Sequence, residues 1–140
     1  MDTPFVQIDL EILKRNIWGM ADIAKAQGIR LRPHFKTHKI AEITRMQIEA
    51  GSPGITVAKL GEAESMFAVG VKDILVAYPL VGKEKMEKVK SLLARGCKLT
   101  LMVDSMGGAR MLDQVGWPGG IDVLVEVDSG LGRGGLLPGE

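Results

Sequence analysis

Four glycines, Gly28, Gly51, Gly70 and Gly96, each close a stretch with helical apolar spacing, and each is followed by a stretch of extended character. Leu10, Leu13, Ile17, Met20 and Ala24 keep the period of a helix from an Asp9 cap to Gly28. Ile40, Ile43 and Gln47 predict a second helix, Gly61 to Val69 a third, Lys83 to Arg95 a fourth and Ala109 to Val115 a fifth. Between them lie expected strands at 30–39, 55–58, 73–78, 98–104 and 121–128, the last after a Trp117-Pro118-Gly119-Gly120 turn. Strand and helix thus alternate with a unit of roughly 20–25 residues, the rhythm of a parallel α/β fold.

Rhythm alone permits a doubly wound sheet or a (β/α)8 barrel. Both faces of an open sheet lie under helices and should be apolar, whereas the inner face of a barrel turns polar toward its functional end. The first and last expected strands each pair an apolar face with a charged one, cationic at 30–39 and anionic at Glu126 and Asp128. That favours the barrel, and it predicts that Glu126 or Asp128 neutralises part of the charge of Arg30 and Arg32.

A chain of 140 residues suits one domain. A net charge of +1 gives no general attraction to nucleic acid or membrane, so neither is an expected partner. Cys97 is the only cysteine, which excludes an internal disulfide and a cysteine zinc cluster. The start carries no secretory pattern and no apolar run reaches membrane length, so the expected location is cytoplasmic.

Within the first expected strand Arg30, Arg32, His34, Lys36 and His38 recur at every second position, and both histidines of the chain flank Lys36. A lysine held among cations is pressed toward the neutral amine, a nucleophile or Schiff-base former. A solvated basic strand or a phosphate-binding patch carries the same pattern, and all three readings stay open on the residues alone. Asp128-Ser129-Gly130-Leu131-Gly132-Arg133-Gly134-Gly135 follows the last strand; its glycines let backbone approach a ligand and its arginine can bond an anionic oxygen. Tyr78 stands at a strand end, where packing with a wet hydroxyl competes with a role beside a ligand. Glu62 and Glu64 suit the first turn of a helix.

The order of these pieces carries a resemblance. Arg32-Pro33-His34-Phe35-Lys36-Thr37-His38-Lys39, Gly54 to Ala58 with Gly61-Glu62-Ala63-Glu64, Asp73-Ile74-Leu75 with Tyr78-Pro79, and Glu126 through Arg133 together resemble the N-terminal part of the D-threonine aldolase and D-serine dehydratase family. These are relatives of alanine racemase in the alanine-racemase-type barrel that binds pyridoxal 5'-phosphate (PLP), fold type III. The resemblance covers the whole of residues 1–140 as one N-terminal barrel portion, about five βα units of a partial TIM barrel.

The resemblance implies a PLP-dependent lyase acting on D-β-hydroxy amino acids, with Lys36 as the Schiff-base lysine and Arg133 contacting the phenolic oxygen of PLP. His34, His38 and Tyr78 are the further candidates beside the cofactor, and none of these residues is an expected metal ligand. A divalent metal, zinc or manganese, and a homodimer are implied for the complete family member. The metal ligands, the phosphate-binding loops, the contact to the pyridine nitrogen and the C-terminal β-domain, which Val6 to Asp9 would help complete, have no counterpart in this chain. The chain therefore reads as a fragment. The alternatives are a PLP- or phosphate-binding module without turnover that uses the basic strand and Gly130 to Gly135, an inactive truncated fragment, and an amino-acid racemase.

Overall fold

The computed structural model describes residues 2–139. Asp9 opens helix α1 (Leu10–Ala26) as expected, its Oδ1 accepting the N–H groups of Glu11 and Ile12 at 3.0 Å each. Then come a 3-10 turn (Phe35–Thr37), α2 (Ala41–Glu49), β1 (Ile55–Val57), α3 (Leu60–Ala68), β2 (Asp73–Val76), α4 (Lys83–Ala94), β3 (Lys98–Val103), α5 (Met106–Val115) and β4 (Asp122–Val125).

The four strands are parallel and lie in the order β1-β2-β3-β4. That order decides between the two parallel architectures. A doubly wound sheet reverses its strand order somewhere; right-handed crossovers between strands adjacent in both sequence and space leave the connecting helices on one face, as in a barrel wall. Burial agrees. Ile74 and Val76 of β2 and Leu99, Leu101 and Val103 of β3 are buried in one core with Ala63 and Met66 of α3, Met86, Val89 and Leu92 of α4, and Leu112 of α5. The alternate positions Leu75, Thr100 and Met102 are only partly covered. A row running Thr56, Leu75, Thr100 and Asp122 crosses this second face in register.

Three expectations need correction. Residues 30–39 do not form a strand: a single parallel bridge joins His34 to Thr56, and the chain then turns. Pro33 has no N–H to give a ladder, so only its carbonyl pairs, accepting from Thr56 N at 2.7 Å. The last strand ends at Val125 rather than Asp128, although Glu126 N still reaches Val103 O at 2.8 Å and Val127 bridges Leu136. Helix α5 begins at Met106, three residues ahead of the expected start, because Ser105 caps it by accepting from Gly108 N at 3.1 Å; Gly107 and Gly108 hid that start.

Candidate functional site at the C-terminal end of the sheet

His34 pairs in parallel with β1, so Lys36 follows at the end of the sheet where the β1, β2 and β3 strands also finish. The turn that carries it is built from its own polar groups. His34 Nδ1 accepts the Lys36 N–H at 3.2 Å, and Thr37 Oγ1 donates to His34 O at 3.0 Å. Lys39 N returns to Phe35 O at 2.9 Å, which puts Lys39 at φ 55, and Phe35 is buried in the core. Side-chain bonds to nearby backbone offer the chain an alternative to a ladder, which is why the period-two pattern does not become a strand.

The two lysines of this segment differ in commitment. Lys39 Nζ pairs with Glu62 Oε1 at 2.7 Å, while Glu62 Oε2 accepts Ala58 N at 2.9 Å, so one carboxylate of the first turn of α3 ties the turn to the end of β1. Burial alone would raise the Glu62 carboxyl, but the Lys39 ammonium and the Ala58 N–H outweigh it and hold it below its usual range. Lys36 is exposed and makes no ion pair among the described residues.

The charge balance of the basic stretch also differs from expectation. Arg32 pairs with Asp73 at the start of β2, Nη1 to Oδ1 2.9 Å, and neither Glu126 nor Asp128 is its partner. The stretch before His34 runs beside β1, one strand away from Asp73, whereas Glu126 and Asp128 lie past β4 at the opposite edge of the sheet. Gly54 makes the Arg32 contact possible: a Cβ there would overlap the Asp73 carbonyl oxygen and lie 2.6 Å from Arg32 Nη1. Sequence reading missed Gly54, Asp73 and Glu62 as the framework of the site; Gly54 directly after Pro53, ahead of a buried strand, was the available signal.

Asp128 has another task. Its carboxylate accepts Gly130 N at 2.9 Å and Gly132 N at 3.0 and 3.1 Å, and these main-chain donors hold the carboxyl below its usual range. Gly135 (φ 101) then lets the chain return against Val127 and Asp128, with Leu136 N to Glu126 O and Asp128 N to Leu136 O both 2.9 Å. The glycine amides that an anion could use are in part already taken. Arg133 is exposed on this loop, past the end of β4. Lys36 and Arg133 thus lie at the same end of the sheet but beyond opposite edges of it, and the four strands do not bring them together.

Tyr78 follows β2 at that end, 64% exposed, in the wall of a cleft of about 760 Å³ shared with Lys59, Leu60, Leu80, Lys85 and Lys88. A second cleft of about 510 Å³ lies on the other side of the β1–α3 connection, between Phe35, Lys39, Glu62 and Met66. His38 turns inward, its ring edge-on to Phe35 at 5.5 Å between centroids. Its Nδ1 accepts Ile40 N at 3.1 Å; its Nε2 and the Oε1 of Gln47 in α2 are buried, and Gln47 is the side chain that bears on its titration. Cys97 is buried in the core, and burial, with Asp73 adding to it and Arg95 opposing, pushes its thiol up to about 11. Among the described residues no group of three or more His, Cys, Asp or Glu could hold a metal ion, and no helix is long and apolar enough to cross a membrane.

Comparison with known proteins places this geometry. D-threo-3-hydroxyaspartate dehydratase of Delftia sp. (strain HT23) is 41% identical over 138 residues, 97% of this chain and 36% of the relative. D-threonine aldolase of Arthrobacter sp. is 37% identical over 138 residues, again 97% of this chain and 36% of the relative. The crystal structure of D-threonine aldolase from Filomicrobium marinum superposes on all of this chain with a TM-score of 0.89 and 36% identity, across 38% of its own length. The chain thus spans little more than a third of the length of these relatives. The sequence profile of the alanine racemase N-terminal domain matches residues 8–140, and the chain belongs to that family.

Proposed function

We propose that this chain is the lysine-bearing part of a PLP-dependent lyase acting on D-β-hydroxy amino acids. The observation that carries the reading is Lys36: an uncommitted primary amine at the C-terminal end of a parallel sheet, on a turn whose backbone is fixed by its own side chains. The relatives named above supply the substrate class. PLP fits this end of the sheet in its donor set, since a free amine is what binds its aldehyde and Lys39, the nearby competitor, is held by Glu62.

PLP, when bound, supplies an electron sink for the pair left when a bond at the substrate Cα breaks. Lys36 would hold it, and Lys36 Nζ, freed when the substrate amine takes its place, would accept or return a proton beside Cα. Arg133 would bond the phenolic oxygen with its planar fork and so orient the ring. His34, His38 and Tyr78 are proposed to lie around the group rather than to react. Cleavage of Cα–Cβ gives glycine and an aldehyde; loss of the α-proton and then the β-hydroxyl gives an enamine, whose imine form water hydrolyses to a keto acid and ammonia. Both outcomes belong to the proposal, as do a homodimeric whole protein and a divalent metal on ligands outside this chain, and no metal-dependent step is assigned to the residues here. The rival reading as an anion-binding module is weakened, because Asp128 occupies the Gly130 and Gly132 amides.

Borohydride treatment of the full-length protein loaded with PLP, followed by peptide mapping, should place the label on Lys36. A label on Lys39 or Lys59 instead would overturn the assignment. Product analysis with D-threonine and D-serine then separates aldehyde release from ammonia release, and racemisation of either amino acid without cleavage would replace the lyase reading.

A further inference from the structure

Lys36 sits between two copies of one arrangement. His34 Nδ1 accepts the N–H of Lys36, two residues on, at 3.2 Å; His38 Nδ1 accepts the N–H of Ile40, two residues on, at 3.1 Å. An imidazole nitrogen accepts a hydrogen bond only while it carries no proton, so each bond requires the tautomer with hydrogen on Nε2. For His38 a second observation points the same way. Its Nε2 and Gln47 Oε1 of α2 are both buried and neither makes a hydrogen bond, yet Gln47 acts on the ring's titration, and an Nε2–H is the form that an amide oxygen can accept from. The first bond fixes the backbone at Lys36 itself; the second fixes the exit of the turn into α2, where the His38 ring stands edge-on to Phe35.

We propose that His34 and His38 are positioning residues that hold the Lys36 turn from both sides, each by presenting an unprotonated Nδ1 to a main-chain N–H, so that acidification releases the turn. The latch stands without any cofactor; its consequence for the reaction rests on the reading of Lys36 given above.

The groups around the two rings set where the release falls. His34 faces Lys36 on its own turn, Glu62 from α3 and the Thr56 main chain from β1; burial and then the Lys36 charge lower its pKa from 6.5, against Glu62 and Thr56. His38 faces Gln47 from α2 and the Ile40 main chain, and no charged side chain acts on it; burial lowers its pKa, opposed in part by those two. Both imidazoles therefore take up protons more readily in the unfolded chain. The stability they contribute is complete above the usual 6.5 and falls as pH drops through that value toward the lower folded ones.

The test uses the full-length protein without PLP, labelled with 15N at histidine. Long-range proton–nitrogen correlation at neutral pH should show both rings with hydrogen on Nε2, and hydrogen exchange should show the Lys36 and Ile40 amides protected, with protection lost on acidification. His34→Asn and His38→Asn keep an acceptor oxygen that does not titrate, so the paired amide should stay protected at acid pH. His34→Ala and His38→Ala should reduce protection of the paired amide about five- to tenfold at neutral pH, the scale of one lost hydrogen bond, and should match the parent at acid pH. Hydrogen on Nδ1 of either ring, or amide protection indifferent to pH in the parent protein, would overturn the latch. The outcome is separate from borohydride mapping: a label away from Lys36 would sink the functional reading and leave the amide result as it stands.

Discussion

At the scale of single residues, the site depends on positions whose side chains are small or spent on backbone. Gly54 is the sharpest case. Its φ is unremarkable, so the requirement is space: a Cβ would meet the Asp73 carbonyl oxygen, Asp73 Cβ and the Arg32 guanidinium at once. Gly54→Ala should cost about 3 kcal/mol or more, the upper end of overpacking, because backbone cannot move aside as a side chain end can. Gly61→Ala, inside α3 with nothing within 4 Å of the added carbon, should leave stability equal or slightly raised. Urea unfolding midpoints of the two variants of the full-length protein check this, and equal midpoints would show that the β1–β2 contact yields. Arg133 is the other residue with a sharp test. Its loop is held by Asp128 and Gly135, so replacing it leaves the backbone intact. If it bonds the phenolic oxygen of PLP, Arg133→Met in the complete enzyme should shift the pH titration of the bound cofactor's visible absorbance and lower kcat roughly 10²-fold, the scale of one lost preorganised donor. Arg133→Lys, with charge but no fork, should fall between Met and the parent. An unchanged titration for both would make Arg133 a solvated loop residue.

At the scale of elements, what the sequence made legible is what periodicity reports. The helices from Lys83 and Gly61, and the alternation of Leu99, Leu101 and Val103 against Thr100 and Met102, match the observed elements because burial on one face wrote them; the helix from Leu10 matches by its period and its Asp9 cap, with no residue buried. Segment 30–39 was not legible in this way. Its alternation is real in sequence, yet Pro33 removes a donor, His34 and His38 turn their nitrogens on their own backbone, and Phe35 points into the core. Local polar bonding overrode the period, and it did so where the candidate site lies, as expected where function and not packing selects residues. The Arg32–Asp73 pair was illegible for a different reason: the partner is 41 positions away, and only strand order brings it near. Lys36 was marked by its cationic neighbours and Arg133 by its glycine-rich loop, motif order gave both their roles, and their meeting depends on sheet closure that four strands do not provide.

At the scale of the whole molecule, the uncovered apolar surface is concentrated where a barrel wall is left open. No residue of α1 is buried, and Leu10, Trp18, Met20 and Ile23 on it are at least 40% exposed. At the other edge Val123 and Val125 continue the rows of Leu101 and Val103, which helices cover, yet Val125 is 61% exposed. Among the described residues the outer side of β4 also has no strand paired along it, and the Val127–Leu136 bridge lies past its end. A strand edge with free N–H and C=O groups beside apolar side chains is a template for further pairing, and soluble monomers seldom leave both uncovered. Purified as the 140 residues alone, the chain should therefore self-associate, retain PLP weakly and show no measurable lyase activity. Sedimentation across a concentration series reads the first; absorbance after gel filtration and product assays read the others. Lysine at Val123 and Val125 together should reduce the association without lowering helix content, since neither side chain belongs to the buried core. A monodisperse monomer that cleaves a D-β-hydroxy amino acid would show instead that four parallel strands and their helices suffice to hold the site.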